Sequence, residues 1–207
     1  MSSMLAPSPQ PRTPVTPPGT LSYRLVTEDD FDLLLRYRQE CGWGEDRLRE
    51  NWMKSDYPLC VFVLQLPDGS EQDVGMGGWL LEEEGHASKK DGWVKLSSLF
   101  IDTSFQRLGL GRLAIGLLEE LAAELFHAKV LTLDTTAYHV ARSGDYPDWK
   151  YVEVVSQPSN NSLWYKKLGY EPYGDIVPHF PDPSNPGNQF CALFMKKNAS
   201  PRSVTAN

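Results

Sequence analysis

The chain predicts an α/β fold with a mixed sheet, on three observations. One long amphipathic helix, Leu110 to Leu125, stands among short runs with strand character. Two of those runs, Leu59 to Leu66 and Gln72 to Leu81, meet across Asp68-Gly69, a hairpin turn, and are therefore antiparallel. Two others, Trp93 to Ile101 and Val130 to Leu133, flank the long helix, and strand, helix, strand is a parallel crossover.

The remaining elements follow in order. Tyr23 to Val26 reads as a strand, and Thr27 with Asp30 three residues on resembles a capping box opening a helix to about Glu40. Gly42 is placed to end that helix. A second helix spans Glu45 to Lys54 after Trp43, which stands between two glycines. Glu82 to Asp91 is a polar loop. In the long helix Leu110, Leu113, Ala114, Leu117, Leu118, Leu121 and Leu125 make the apolar stripe, with Glu119, Glu120 and Glu124 on the solvated side. Asn160 to Leu168 is a short helix stopped by Gly169, and Phe190 to Lys196 closes the sheet.

A length of 207 residues allows one sizeable core, and the ordinary hydrophobic (41%) and charged (23%) fractions set aside global disorder and fibrous repeats. Residues 1–19 hold six of the sixteen prolines and read as a disordered tail with PxxP spacings. Residues 198–207 read as a flexible end, leaving 20–197 as one domain. That domain carries 18 basic and 27 acidic residues, a balance of −9, which disfavours a nucleic-acid partner. Cys41, Cys60 and Cys191 form neither a disulfide framework nor a metal cluster, so no metal is expected. The chain shows no apolar run of about 18 residues and no signal-peptide pattern, so a cytoplasmic protein without a membrane partner is expected.

The chemistry is concentrated in Ser98 to Ala114. A strand ends at Ile101, a polar loop follows, and Gly109 and Gly111 open a helix. Glycines admit close backbone approach, and a helix N-terminus with free N–H groups favours a phosphate, to which Arg107 and Arg112 add charge. Gly109, Gly111 and Ala114 also satisfy a relaxed GxGxxA dinucleotide fingerprint, with Asp134 downstream as a ribose-binding acid. A dinucleotide strand runs almost directly into its first glycine, however, whereas here seven residues separate Ile101 from Gly109.

Gln106-x-x-Gly109-x-Gly111 after a strand resembles the Q/R-x-x-G-x-G/A motif of the GNAT superfamily of acetyl-CoA-dependent N-acetyltransferases. Leu163-Trp164-Tyr165-Lys166-Lys167-Leu168-Gly169-Tyr170 is similar to that family's second signature, in the expected order. The resemblance implies a three-layer α+β architecture, with a mostly antiparallel central sheet, a splayed parallel strand pair and flanking helices. It implies that Gln106, Arg107, Leu108, Gly109, Leu110, Gly111 and Arg112 grip the pyrophosphate of acetyl-CoA. Leu99, Phe100 and Ile101 would pair with the pantetheine arm, and Asn161 would touch the cofactor from the later helix. Tyr165 matches the tyrosine that protonates the departing thiolate. The acceptor would be a small-molecule or peptide amine, and the oligomeric state, monomer or homodimer, stays open.

Lys95 stands where many members of the family place a glutamate base. Ser97 through a water chain, Glu82, Glu83, Glu84, Asp134 and His139 are the substitutes, with Ser97 and Glu84 carried forward beside Tyr165 as catalytic candidates. Trp43, Tyr138 and His139 are the candidate acceptor-binding residues. Tyr138 and His139 belong to an aromatic 136–158 loop that is either a lid or a packed excursion. His86, His127 and His179 show no ligand spacing. A catalytically silent acyl-CoA-binding module is the alternative outside catalysis.

Overall fold

The computed structural model describes residues 17–142, 161–181 and 188–199. The proline-rich tail up to residue 16, residues 143–160 of the aromatic loop and the C-terminal end from residue 200 lie outside the described residues.

Strand β1 (Thr20–Leu25) leads into a single 3-10 turn, Glu28–Asp30, and helix α1 (Phe31–Glu40). The Asp30 carboxylate accepts both the Thr27 N–H (2.8 Å) and its hydroxyl (3.0 Å), so the Thr27/Asp30 signal does open the helical segment. Arg24 clamps the same carboxylate with two bonds of 2.8 Å. At the far end Gly42 adopts φ +77°, its N–H bonding the Gln39 carbonyl while the Trp43 N–H bonds that of Arg38. That paired closure needs a left-handed residue, which glycine adopts without a Cβ penalty. Helix α2 (Asp46–Asn51) is shorter than expected.

Strands β2 (Leu59–Gln65) and β3 (Glu71–Leu80) form the expected antiparallel hairpin. The polar segment after them folds into a small hairpin, β4 (Glu82–Glu83) and β5 (Ala87–Ser88), instead of a plain loop. Then come β6 (Trp93–Ile101), a 3-10 turn at Thr103–Phe105, α3 (Leu110–Phe126), β7 (Val130–Arg142) and α4 (Asn161–Lys167). The chain closes with β8 (Glu171–Pro172), β9 (Val177–Pro181) and β10 (Asn188–Asn198). Main sheet order is β1-β2-β3-β6-β7-β10-β8, with β9 also on β10, and among the described pairs β6–β7 alone is parallel. A dinucleotide-binding sheet is mostly parallel, so this topology removes the dinucleotide reading.

Two cores flank the sheet. On one face α3 and α4 pack over Phe62, Trp79, Val94, Leu96, Leu131, Leu133 and Met195. On the other, Leu34 and Tyr37 of α1 and Leu48 of α2 cover Leu59, Val61 and Met76. The buried stripe of α3 is Leu110, Ala114, Ile115, Leu118, Leu121 and Ala122, whereas Leu113 (42%) and Leu125 (45%) are exposed. The true stripe follows the helical period of 3.6, and Leu113 and Leu125 fall off its edge. Glu119, expected on the solvated side, accepts the Tyr170 hydroxyl (2.8 Å) and pairs with Lys197 (2.6 Å). The run Val74-Gly75-Met76-Gly77-Gly78 lets β3 pass close to its neighbours. A Cβ at Gly77 would stand 2.8 Å from Phe62 and 2.9 Å from Leu118, and one at Gly78 2.5 Å from Leu59.

Candidate active site

The site begins where β6 and β7 part. Their parallel register covers Trp93↔Val130, Val94↔Leu131 and Lys95↔Thr132 and then stops, although both strands continue. Among the described residues, the edge of β6 facing β7 has no strand partner from Leu96 to Ile101. An unpaired edge offers backbone N–H and C=O groups to an extended amide-bearing ligand. Leu99, Phe100 and Ile101 lie on this edge.

A bulge interrupts β6 on its other side. Gly78 pairs with Ser97 and Met76 with Phe100, so Gly77 alone opposes Ser98 and Leu99. Ser98 takes φ +54°, an uncommon value for a non-glycine residue. The bulge breaks side-chain alternation and turns Ser97 and Ser98 to the same face. There the Tyr57 hydroxyl meets Ser97 Oγ at 3.1 Å and Ser98 Oγ at 2.7 Å. Leu99 packs toward the α3 core and Phe100 toward the α1 core.

Beyond Ile101 the chain forms the glycine loop. Gln106 Nε2 donates to the Ile101 carbonyl at 2.8 Å, fixing the loop to the strand end. Arg107 (φ +65°) and Gly109 (φ +80°) are both left-handed, and α3 starts at Leu110 with Gly109 as its N-cap. Successive N–H groups in such a loop at the start of a 17-residue helix make an anion-binding concavity. Leu108 is half-buried against the core and Leu110 fully buried, so both hold the loop down. Gly111 faces α4: a Cβ there would come 3.8 Å from the Trp164 ring. That contact brings Trp164 of α4 against the start of α3, and Asn161 is the exposed first residue of α4.

Tyr165 packs between Trp164 (ring centroids 4.9 Å apart) and Tyr170 (5.9 Å). Burial first, and then the charge of Asp134, push its phenol well above the usual range. It therefore stays protonated at neutral pH.

On the opposite face of the parted strands lies a charged floor. Lys95 is 2% exposed and bonds both Glu83 Oε2 (2.6 Å) and Asp134 Oδ2 (2.9 Å). His179 Nε2 on β9 stands 3.7 Å from the same Asp134 oxygen. His86 stacks on Phe194 at 3.8 Å, and its Nδ1 lies 2.9 Å from the Tyr173 hydroxyl. Burial lowers the pKa of both histidines, so both are neutral near pH 7.

The sequence candidates distribute unevenly about this floor. Asp134 belongs to it, whereas Ser97 meets the Tyr57 hydroxyl. Glu84 is exposed on the β4–β5 hairpin and Glu82 receives the Lys89 N–H at 3.3 Å, whereas their neighbour Glu83 reaches Lys95. Trp43 is 37% exposed at the α1–α2 junction. Tyr138 and His139 are not in a loop as expected: β7 continues to Arg142, and they are the residues skipped between Cys191↔Ala137 and Phe190↔Val140. Tyr57 and His179 were not expected at the site. Tyr57 lies far in sequence from the glycine loop, and no local pattern marks it.

The family model described as the acetyltransferase (GNAT) family matches residues 27–144. The chain belongs to the GNAT acetyltransferase family. It is accordingly an acyltransferase. Its fold is similar to that of the ribosomal-protein-S18-alanine N-acetyltransferase from Escherichia coli, with TM-score 0.60 and 14% identity over 91% of this chain and 99% of that one. The spermidine/spermine N-acetyltransferase from Vibrio cholerae gives TM-score 0.55 and 13% identity, covering 87% and 93%. An aminoglycoside 6'-N-acetyltransferase complexed with coenzyme A gives 0.54 and 18%, covering 87% and 98%. No curated protein matches by sequence. Among the described residues, no helix is long and apolar enough to cross a membrane, and no cluster of His, Cys, Asp and Glu could hold a metal.

Proposed function

We propose that this GNAT acyltransferase moves an acetyl group from acetyl-CoA to a primary amine by direct attack, without a covalent enzyme intermediate. The observation that carries this reading is the parting of β6 and β7 after Lys95 and Thr132, directly upstream of a glycine loop at a helix start. An extended pantetheine arm fits the unpaired edge at Leu99 to Ile101. The pyrophosphate fits the loop Gln106 to Arg112, where Arg107 and Arg112 supply charge and Asn161 closes from α4.

Three groups then divide the chemistry. The backbone of the Ser98-Leu99 bulge lies on the edge at the thioester and polarises its carbonyl as the oxyanion develops. A reactive amine must lose a proton from a group with pKa near 10. His179 takes it at Nδ1 of its neutral imidazole, whose Nε2 faces Asp134 at 3.7 Å, and Lys95, itself paired with Glu83, holds Asp134. Tyr165 returns a proton to the departing thiolate. Lys95 cannot serve as the base while it holds two carboxylates, and the adjacent dyad provides the missing function.

Thiol release from acetyl-CoA across a panel of primary amines tests this reading. Turnover with at least one amine is expected, and Tyr165→Phe is expected to lower kcat by about 10- to 100-fold with little change in acetyl-CoA affinity. A binding-only role is the second reading, favoured by Lys95 at the usual glutamate position. Saturable acetyl-CoA binding with no thiol release for any amine would establish it instead.

A further inference from the structure

We propose that Tyr57 is a positioning residue for acyl transfer: its hydroxyl latches the β6 bulge in the conformation that presents backbone to the thioester carbonyl. This rests on the acetyltransferase reading above. The Tyr57 hydroxyl lies 2.7 Å from Ser98 Oγ and 3.1 Å from Ser97 Oγ, so one side chain holds two successive residues of the bulged strand. Ser98 is left-handed at φ +54°, a conformation that a residue with a Cβ keeps only when its surroundings enforce it. Ironing out the bulge would shift β6 by one residue along β3 and re-aim every group beyond it.

The latch is itself firmly mounted. Tyr57 is 6% exposed, and it belongs to the core that Leu34 and Tyr37 of α1 and Leu48 of α2 form with Leu59, Val61 and Met76. Its own N–H bonds the Lys54 carbonyl at 3.1 Å. On either side of it, the Asp56 carbonyl accepts the Leu81 N–H (2.9 Å) and the Pro58 carbonyl accepts the Trp79 N–H (3.0 Å). These two bonds sew the α2–β2 connection to the end of β3, the strand that pairs with β6 at Gly78↔Ser97. Latch and bulge are therefore fixed to one and the same strand. That strand cannot yield from the α3 side, because Gly77, opposite the bulge, lies against Phe62 and Leu118 with no room for a Cβ. A backbone donor stabilises an oxyanion best when it is aimed before the charge develops, and a fixed hydroxyl bonding both serines supplies that aim.

The test is Tyr57→Phe, which keeps the ring in its core and removes the oxygen alone. Because the latch acts on the acyl group, the variant is expected to lower kcat by about tenfold or more, and by the same factor for every amine the wild-type chain accepts. Acceptor KM and the Kd of free coenzyme A, which has no thioester carbonyl, are expected to stay within about twofold, with the pH inflections of kcat in place. Ser98→Ala is expected to show the same pattern, and Tyr57→Phe added to it to lower kcat by no more than about a further twofold. An unchanged kcat in Tyr57→Phe, or multiplicative losses in the double variant, would overturn the proposal. So would a loss confined to one acceptor or carried by its KM, which would put the hydroxyl on the acceptor. A lost pH inflection would make Tyr57 a proton carrier instead, and a fall in coenzyme A affinity matching that in kcat would leave it a merely structural role. Each of these outcomes leaves the acetyltransferase reading intact. Absence of wild-type turnover with every amine would instead overturn that reading, and this inference with it.

Discussion

Lys95 governs the polarity of the groove, because its ammonium is nearly sealed and holds Glu83 and Asp134 together. Replacing it by Met leaves two partly buried carboxylates facing each other. Lys95→Met is therefore expected to destabilise the fold by about 2–4 kcal/mol, read as a lowered urea midpoint. His179 makes a second residue-scale prediction. Its imidazole titrates below the ordinary value, first because of burial, with Asp134 opposing. The neutral form is the base, so kcat is expected to rise with pH through an inflection below about 6.5 and then level off. His179→Asn should remove that acidic limb; persistence of the limb in the variant would assign it elsewhere.

At the scale of elements, glycines separate packing from binding. Gly78→Ala would drive a Cβ to 2.5 Å from Leu59 and 2.7 Å from the Pro58 carbonyl, and is expected to cost about 2 kcal/mol or more of stability. Gly111→Ala has free space up to the Trp164 ring at 3.8 Å. Its thermal midpoint is expected to hold or rise, since alanine favours a helix interior by up to about 1 kcal/mol. Any loss should appear in acetyl-CoA affinity alone.

The same elements explain what the sequence could and could not convey. β6 and α3 are marked by long apolar periodicity and by glycines, and both are found at their expected places. β7 was expected to end at Leu133 because Asp134-Thr135-Thr136 reads as polar. Thr132 and Asp134 instead line the groove face, where polar residues are normal for a strand. β8 and β9 are short, proline-bounded runs whose pairing with β10 is a tertiary fact with no local signal. The glycine loop was readable because a left-handed turn into a helix is backbone geometry, which the glycine at 109 records. Tyr57 reaches the bulge serines and His179 reaches Asp134 from segments distant in sequence, and tertiary contacts of that kind leave no spacing to read.

For the whole molecule, two acid-side effects act in the same direction. Burial keeps His86 and His179 neutral in the folded state, so unfolding takes up protons below the ordinary imidazole pKa and stability falls as pH drops through that range. Arg24 and the Thr27 N–H and hydroxyl hold Asp30 at about 2. That contribution is present above about pH 4 and is lost as pH falls toward 2, on the order of 1 kcal/mol given the half-exposed Arg24. A urea-midpoint series from pH 8 to 2 should show both declines, and a midpoint that rises below pH 6 would exclude the first.

The chain's overall charge is −7, yet the acetyl-CoA it is proposed to bind is anionic. The glycine loop therefore works by local geometry against the global charge, and Arg24→Ala, on β1 and paired with Asp30 and Asp73, should leave acetyl-CoA affinity unchanged. The central claim is that the parted strands and glycine loop hold acetyl-CoA. A thermal-shift titration tests it most directly: acetyl-CoA at about 100 times its Kd should stabilise the chain by about 2.7 kcal/mol, roughly 5–10 °C, while NAD and NADP produce no shift. No saturable shift with acetyl-CoA, or an equal shift with the dinucleotides, would contradict it.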